Sequence, residues 1–258
     1  TFNFVQTERE SPLTGTGFGG DGNGLFGALL FTPRSVDLMN LPYQSPIDGR
    51  NVYYRRGSPI QNPRWILNNG GQTEFIQRFF STTEASYDLN DNIKLLYRLG
   101  LDRFDQSNVR YTNKGGSFNN GLGEMSTFNT KNRITDQLFN VLYNFQLSES
   151  WSIDGVVGVN ARREERDFTG VLSSNQFVYG LVNHNNFIDH NSFSGITEEN
   201  TLGVFATATL GFKSFLYVNL QARNDWTSTL EEENRSILYP SASVSFVATD
   251  AFQGLQNN

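Results

Sequence analysis

The residues best able to do chemistry in this sequence are few, and their spacings are poor. His184 and His190 are the two histidines. They are spaced i,i+6, not at the i,i+4 interval that sets two imidazoles on one helix face around zinc. With Asp189 beside them they read as polar groups of a solvated loop. Gly15-Thr16-Gly17-Phe18-Gly19-Gly20 matches a dinucleotide-binding fingerprint in letters. That motif needs a strand before it and a helix after it, and a glycine-rich stretch and Pro33 follow instead. Asp21 and Asn23 hint at a calcium loop but lack its terminal bidentate Glu. Glu231-Glu232-Glu233 reads as a solvated loop tip. With no cysteine, disulfides, thiolate metal sites and thiol nucleophiles are excluded. No clustered Ser/His/acid set supports an enzyme, and no cofactor is implied.

Composition asks for a scaffold of another kind. The chain has 258 residues, with 37% hydrophobic residues yet 22 Phe and 10 Tyr, and a mean hydropathy of −0.43. Disordered chains are poor in aromatics, so disorder does not fit. No apolar run reaches the roughly 20 residues of a spanning helix. A transmembrane strand needs only about 9–11 residues, apolar on alternate positions. The net charge is −6 and no long Lys/Arg run occurs, so nucleic acid is not among the expected partners. The sequence begins Thr1-Phe2-Asn3-Phe4 and ends Leu255-Gln256-Asn257-Asn258, which reads as a piece of something longer.

Alternation of period two organises the chain. Leu216, Val218, Leu220 and Ala222 alternate with Tyr217, Asn219, Gln221 and Arg223. The same pattern runs through 93–102, 139–147, 151–162, 202–212 and 237–248, and more weakly through 75–89; residues 1–9 read as the tail of another strand. About eight strands result, joined alternately by short connections (Asn90–Asn92, Ser148–Ser150, Lys213-Ser214) and long ones (roughly 10–72, 108–132, 165–200 and 226–236). Outer-membrane barrels have short periplasmic turns and long extracellular loops, whereas a soluble sandwich has no reason to gather its long loops at one end. The fold class predicted is an all-β antiparallel transmembrane barrel. Pro240 lacks an N–H for the ladder and is expected near a strand end or bulge.

The polar strand face carries Arg98, Asp102, Asn140, Asn144, Asp154, Asn160, Arg162, Gln221 and Arg223. Facing lipid near the midplane, each Arg would cost about 2–4 kcal/mol, so this face is assigned to the lumen. Tyr87, Trp151, Phe212, Phe215 and Tyr217 by the short turns, and Trp226 and Tyr239 by a long loop, fit interfacial aromatic girdles.

Three blocks carry a family resemblance. Arg223-Asn224-Asp225-Trp226-Thr227-Ser228-Thr229-Leu230 followed by Tyr239-Pro240-Ser241-Ala242-Ser243-Val244-Ser245-Phe246-Val247 resembles a strand, loop and descending strand of SusC/RagA-type TonB-dependent transporters. Asn62-Pro63-Arg64-Trp65-Ile66-Leu67-Asn68 and Leu96-Tyr97-Arg98-Leu99-Gly100-Leu101-Asp102 resemble further family segments, in the family's order. The resemblance implies that residues 1–258 are part of one barrel of about 22 strands around a plug, with the plug and the TonB-contacting segment outside this chain. It further implies a bacterial outer membrane, active import of an oligosaccharide or oligopeptide, and two protein partners: a SusD-like surface lipoprotein and TonB. Tyr43, Tyr53, Tyr54 and Trp65 are candidates to stack on substrate or pack against the partner; Arg162 and Arg223 are candidates to touch substrate. A structural or binding barrel such as an adhesin, and a passive porin, are the alternatives.

Overall fold

A computed structural model describes residues 1–13, 25–30, 32–53 and 61–252. The glycine-rich stretch 15–20, Asp21, Asn23 and Tyr54 lie outside these.

In chain order the elements are strand β1 (Phe2–Pro12), helices α1 (Leu25–Leu30) and α2 (Pro63–Asn69), then strands β2 (Gly70–Asn90), β3 (Ile93–Thr112), β4 (Glu124–Gln146), β5 (Trp151–Gln176), β6 (Phe187–Phe212), β7 (Leu216–Thr227) and β8 (Ser236–Phe246), and a helical turn α3 (Ala248–Ala251). The eight strands form one sheet in sequential order, every pair antiparallel. Among the described residues β1 and β8 do not pair with each other, so the eight strands form an unclosed wall, in keeping with part of a larger barrel. The β6–β7 turn shows why the short connections are tight. Lys213 and Ser214 both take positive φ, 47° and 60°, the twist a tight hairpin needs.

Register sets the two faces. One row aligns Ala85, Tyr97, Phe139, Val159 and Val204, and the next aligns Tyr87, Leu95, Val141, Val157, Ala206 and Ala222. Their neighbours on each strand, such as Arg98, Asn160, Gln221 and Thr207, point the other way. Val157, Val159, Val204 and Leu220 stay exposed, and the buried apolar residues are few, among them Trp65, Ile66 and Phe187 near the long loops. A soluble sandwich would bury such rows between two sheets; here one layer presents them outward.

The apolar face runs from Leu202 to Phe212 on β6. Ten steps of about 3.3 Å, at the usual barrel tilt, give a band about 25 Å tall, the height of a lipid-facing belt. At the short-turn edge Trp151, Phe212, Phe215, Phe246 and Phe252 form a ribbon of rings with centroids 4.6–6.2 Å apart. Trp226, beside Leu202, marks the other edge. Tyr217 and Tyr239 do not join these girdles: Tyr217 opposes Gly211 and Tyr239 opposes Arg223, both on the polar face.

The strands outrun the band. β5 continues from Ala161 to Gln176 and β6 reaches back to Phe187, about 50 Å of strand beyond the apolar rows. Much of what reads as loop at 108–132 and 165–200 is therefore strand, leaving connections at 113–123 and 177–186. Arg163-Glu164-Glu165-Arg166-Asp167 looks like a solvated charge run. It is β5 backbone whose side chains pair across strands, Arg133 with Glu165 at 2.7 Å and Arg163 with Glu198 at 2.9 Å. Pro240 also departs from expectation. It sits inside β8, opposite Ala222, so the ladder lacks one N–H at that position.

Candidate functional site

Two regions could meet a solute: the polar face of the wall and the rim of loops above it.

On the polar face, charges are paired locally. Arg98 holds Glu84 at 2.8 Å, Arg78 holds Asp102 at 2.6 Å and Arg9 holds Glu74 at 2.9 Å. Arg162 pairs with Glu164 two residues on, at 2.9 Å, and Arg223 likewise with Asp225, at 2.7 Å. A residue and its second neighbour share a strand face, which puts each partner in reach. Arg223 also lies 5.5 Å from the Phe205 ring centre. Its guanidinium rests over Gly203, where a Cβ would come within 2.2 Å of it. Both arginines keep more than a third of their side chain exposed, leaving donor positions open to a solute. Asn160 donates to Asp136 at 3.2 Å and to the Gln137 carbonyl at 3.1 Å.

The rim is built on α2. Asn62 caps it by accepting from the Arg64 N–H, with Pro63 in the first turn, where a missing N–H costs nothing. Trp65 is fully buried, and its indole N–H donates to the Gly49 carbonyl at 2.8 Å. This overturns Trp65 as a stacking surface for substrate: a helix of about two turns needs a large apolar anchor, and Trp65 is it. Tyr43 lies half-buried, its ring covered by the Arg64 guanidinium at 4.4 Å. Tyr53 is half exposed and open to a ligand. In the remaining motif residues, Asn224 donates to the Ser236 hydroxyl at 2.9 Å, closing the β7–β8 loop, while Ser241 faces Gln221 on the polar side.

Sequence reading missed the residues that tie the loops together. Asn69, on α2, donates to Gln44 at 3.1 Å and accepts from Asn113 at 3.2 Å and from the Tyr179 hydroxyl. Gln176 donates to Asn113 at 3.1 Å and accepts from the Lys114 N–H at 2.9 Å. Lys114 Nζ reaches the Phe177 carbonyl at 2.7 Å. Amides both donate and accept, so a few of them can satisfy one another in a buried cluster. Segments 32–53, 113–123 and 177–186 are clipped together this way.

The histidines, expected in a solvated loop, are brought together. His190 lies on β6 opposite Ser173, and His184 lies in a 3₁₀ turn of the rim loop that precedes β6, His184–Asn186. Their Nδ1 atoms sit 2.8 and 2.7 Å from the one Ser173 hydroxyl, and His184 Nε2 sits 2.7 Å from Thr127 Oγ1. Ser173 has no exposure. Burial, and then the neighbouring His190, hold the His184 imidazole below its ordinary value. Among the described residues no three His, Asp or Glu side chains are grouped to hold a metal ion.

A single-layer, sequential antiparallel sheet with a belt-high apolar face and a polar reverse is a section of membrane β-barrel wall. No protein-family model matches the sequence, and no curated protein does. Solved structures do. A chain of the RagAB peptide importer in the "open-open" state superposes with a TM-score of 0.77 at 19% identity, over 100% of this chain and 28% of that one. The RagAB peptide transporter matches at 0.72 and 17%, over 80% and 24%, and the "closed-closed" importer at 0.70 and 18%, over 80% and 24%. The fold is thus that of part of the barrel in those RagAB structures, and the chain spans about a quarter of the length of the chains it matches.

Proposed function

We propose that this chain is part of the barrel wall of a bacterial outer-membrane transporter that imports a bulky nutrient with energy delivered through TonB. The observation that carries the reading is the combination of a belt about 25 Å tall with strands that continue far beyond it on the loop side. Such a wall encloses a deep vestibule above the membrane, larger than a small-solute pore requires. The matched structures are called peptide transporters and importers, which favours an oligopeptide over an oligosaccharide as cargo. Arg162, Arg223 and Tyr53 are the groups with exposed surface to offer it.

A SusD-like surface lipoprotein would close the vestibule from above. Ile47, Met39 and Phe177 are 94%, 74% and 72% exposed on the rim segments. Apolar groups so placed fit a partner surface better than they fit water. Labelled oligopeptide and oligosaccharide should be followed into cells carrying the intact protein, with and without functional TonB. Uptake of the peptide that depends on TonB is expected. Equal uptake in both strains would reject active transport and leave a porin or a binding barrel.

A further inference from the structure

We propose that Ser173, His184 and His190 form a proton-sensitive latch that fastens the rim loop 177–186 to the wall and releases it under mildly acidic conditions. The loop's own bonds turn on Asn186. Its carbonyl accepts from the Phe177 N–H at 2.8 Å, its side chain accepts from the Val178 N–H at 2.9 Å, and its Nδ2 donates to the carbonyls of Val178 and Leu181. His184, two residues before it, ties this loop to Thr127 and Ser173 on the strands, beside a second tie in which Gln176 of β5 donates to the Leu181 carbonyl at 3.2 Å.

Hydrogen counting shows how the tie responds to protons. With both imidazoles neutral, one hydroxyl serves two rings: it donates to one Nδ1 and accepts from the other. The chain stays intact with hydrogen on His190 Nδ1, the ring nitrogen beside the Ser173 hydroxyl. That N–H then donates to Ser173, the Ser173 hydroxyl donates to His184 Nδ1, and His184 Nε2–H donates to Thr127. A proton on His184 breaks the chain. Both Nδ1 atoms now carry hydrogen, the Ser173 hydroxyl has no acceptor, and two cations meet at one buried oxygen.

Among the described residues no carboxylate on the same face lies close enough to offset that charge. On the same face of β4, Met125, Thr127 and Asn129 precede the first charged residue, Lys131. On β5, Ser173, Val171 and Thr169 precede Asp167, and on β6, His190, Ser192, Ser194 and Ile196 precede Glu198. Asp189, Ser174 and Glu124 lie on the opposite face, and Lys114 is engaged with the Phe177 carbonyl. The direction follows. A base held below its ordinary value stabilises the closed loop fully above about pH 6.5, and that stability is lost as the pH falls below it toward the lowered value.

The test is hydrogen exchange of the Phe177, Val178 and Asn186 amides in the intact protein, at about pH 7.5 and about pH 5, corrected for intrinsic rates. Protection is expected to fall about tenfold or more at the lower pH, while β5 and β6 amides within the apolar band stay unchanged. His184→Gln should remove the pH effect; His190→Gln, which keeps the sensor but not the second cation, should shift the release to lower pH. Equal corrected protection at both pH values would overturn the latch, as would an undiminished pH effect in His184→Gln. Added Zn²⁺ that raises protection at the upper pH would mark the pair as a metal site instead, and would overturn it too.

Discussion

Trp65 and Gly49 are joined by an indole N–H to carbonyl bond of 2.8 Å in a place closed to solvent. Gly49 has φ +72°, and a Cβ there would come within 2.4 Å of the Tyr179 ring, so the carbonyl is aimed by a residue that must be glycine. Trp65→Ala should destabilise the rim by about 3–5 kcal/mol, the cost of emptying a large buried aromatic site. Gly49→Ala should loosen the same segment. Limited proteolysis between residues 32 and 53 reads both. Unchanged cleavage in Trp65→Ala would show that α2 does not depend on this anchor.

Tyr143 and Thr207 meet across an intervening strand. The tyrosine hydroxyl donates to the Thr207 carbonyl at 2.9 Å, passing over Gly155 of β5, where a Cβ would come within 2.0 Å of that same oxygen. Gly155→Ala should therefore open the β5–β6 ladder locally, and Tyr143→Phe should cost about 1 kcal/mol. Urea unfolding in lipid vesicles measures both. The glycine change should be the more damaging; the reverse order would show that the backbone yields easily.

The facing of the wall is open to a direct probe. Spin labels at Val157, Val159, Val204, Ala206, Val218 and Leu220 should be reached by oxygen from the lipid phase. Labels at Asn160, Arg162, Thr207, Asn219 and Gln221 should respond to a water-soluble quencher. In the same geometry Ala206→Arg, near mid-band, should cost about 2–4 kcal/mol, and Thr207→Arg far less. An inverted pattern would mean the polar face looks outward.

Arg223→Gln should change stability by less than about 1 kcal/mol, because its pair with Asp225 is partly exposed. The same change should weaken cargo binding if the freed guanidinium positions are what a peptide carboxylate meets. Gly203→Val, which drives a side chain into the guanidinium, should weaken it as well while keeping the charge. Binding measured on the intact protein with a peptide and its C-terminal amide separates the two effects.

How much of this could be read from the residues depended on contrast between faces. Where one side of a strand meets lipid and the other water, as in Leu216–Arg223, alternation is strong and strand, register and facing all follow. Beyond the band both sides meet water. Contrast vanishes in Arg163–Asp167, and the letters there do not separate strand from loop. The rim was illegible for another reason. Asn69, Asn113 and Gln176 are ordinary polar residues far apart in sequence, and only folding brings their amides together. Trp65 stands out as a motif residue, but its role does not, since an exposed tryptophan and a buried anchor have the same letter. The pairing of His184 with His190 required knowing that β6 begins at Phe187.

The strict chain order of the sheet bears on how the wall is assembled. Each strand pairs with the strand just before it, so no segment has to wait for a distant partner, and the search is a series of hairpin closures. The widest of these spans the segment between β1 and β2. Closure entropy grows only with the logarithm of length, about 0.6 kcal/mol per doubling, so even that step is a modest obstacle. Addition one strand at a time leaves one growing edge besides the starting edge at β1. The unpaired backbone donors and acceptors at the growing end then amount to one strand's worth at any stage, which limits where a wrong neighbour can add to the sheet.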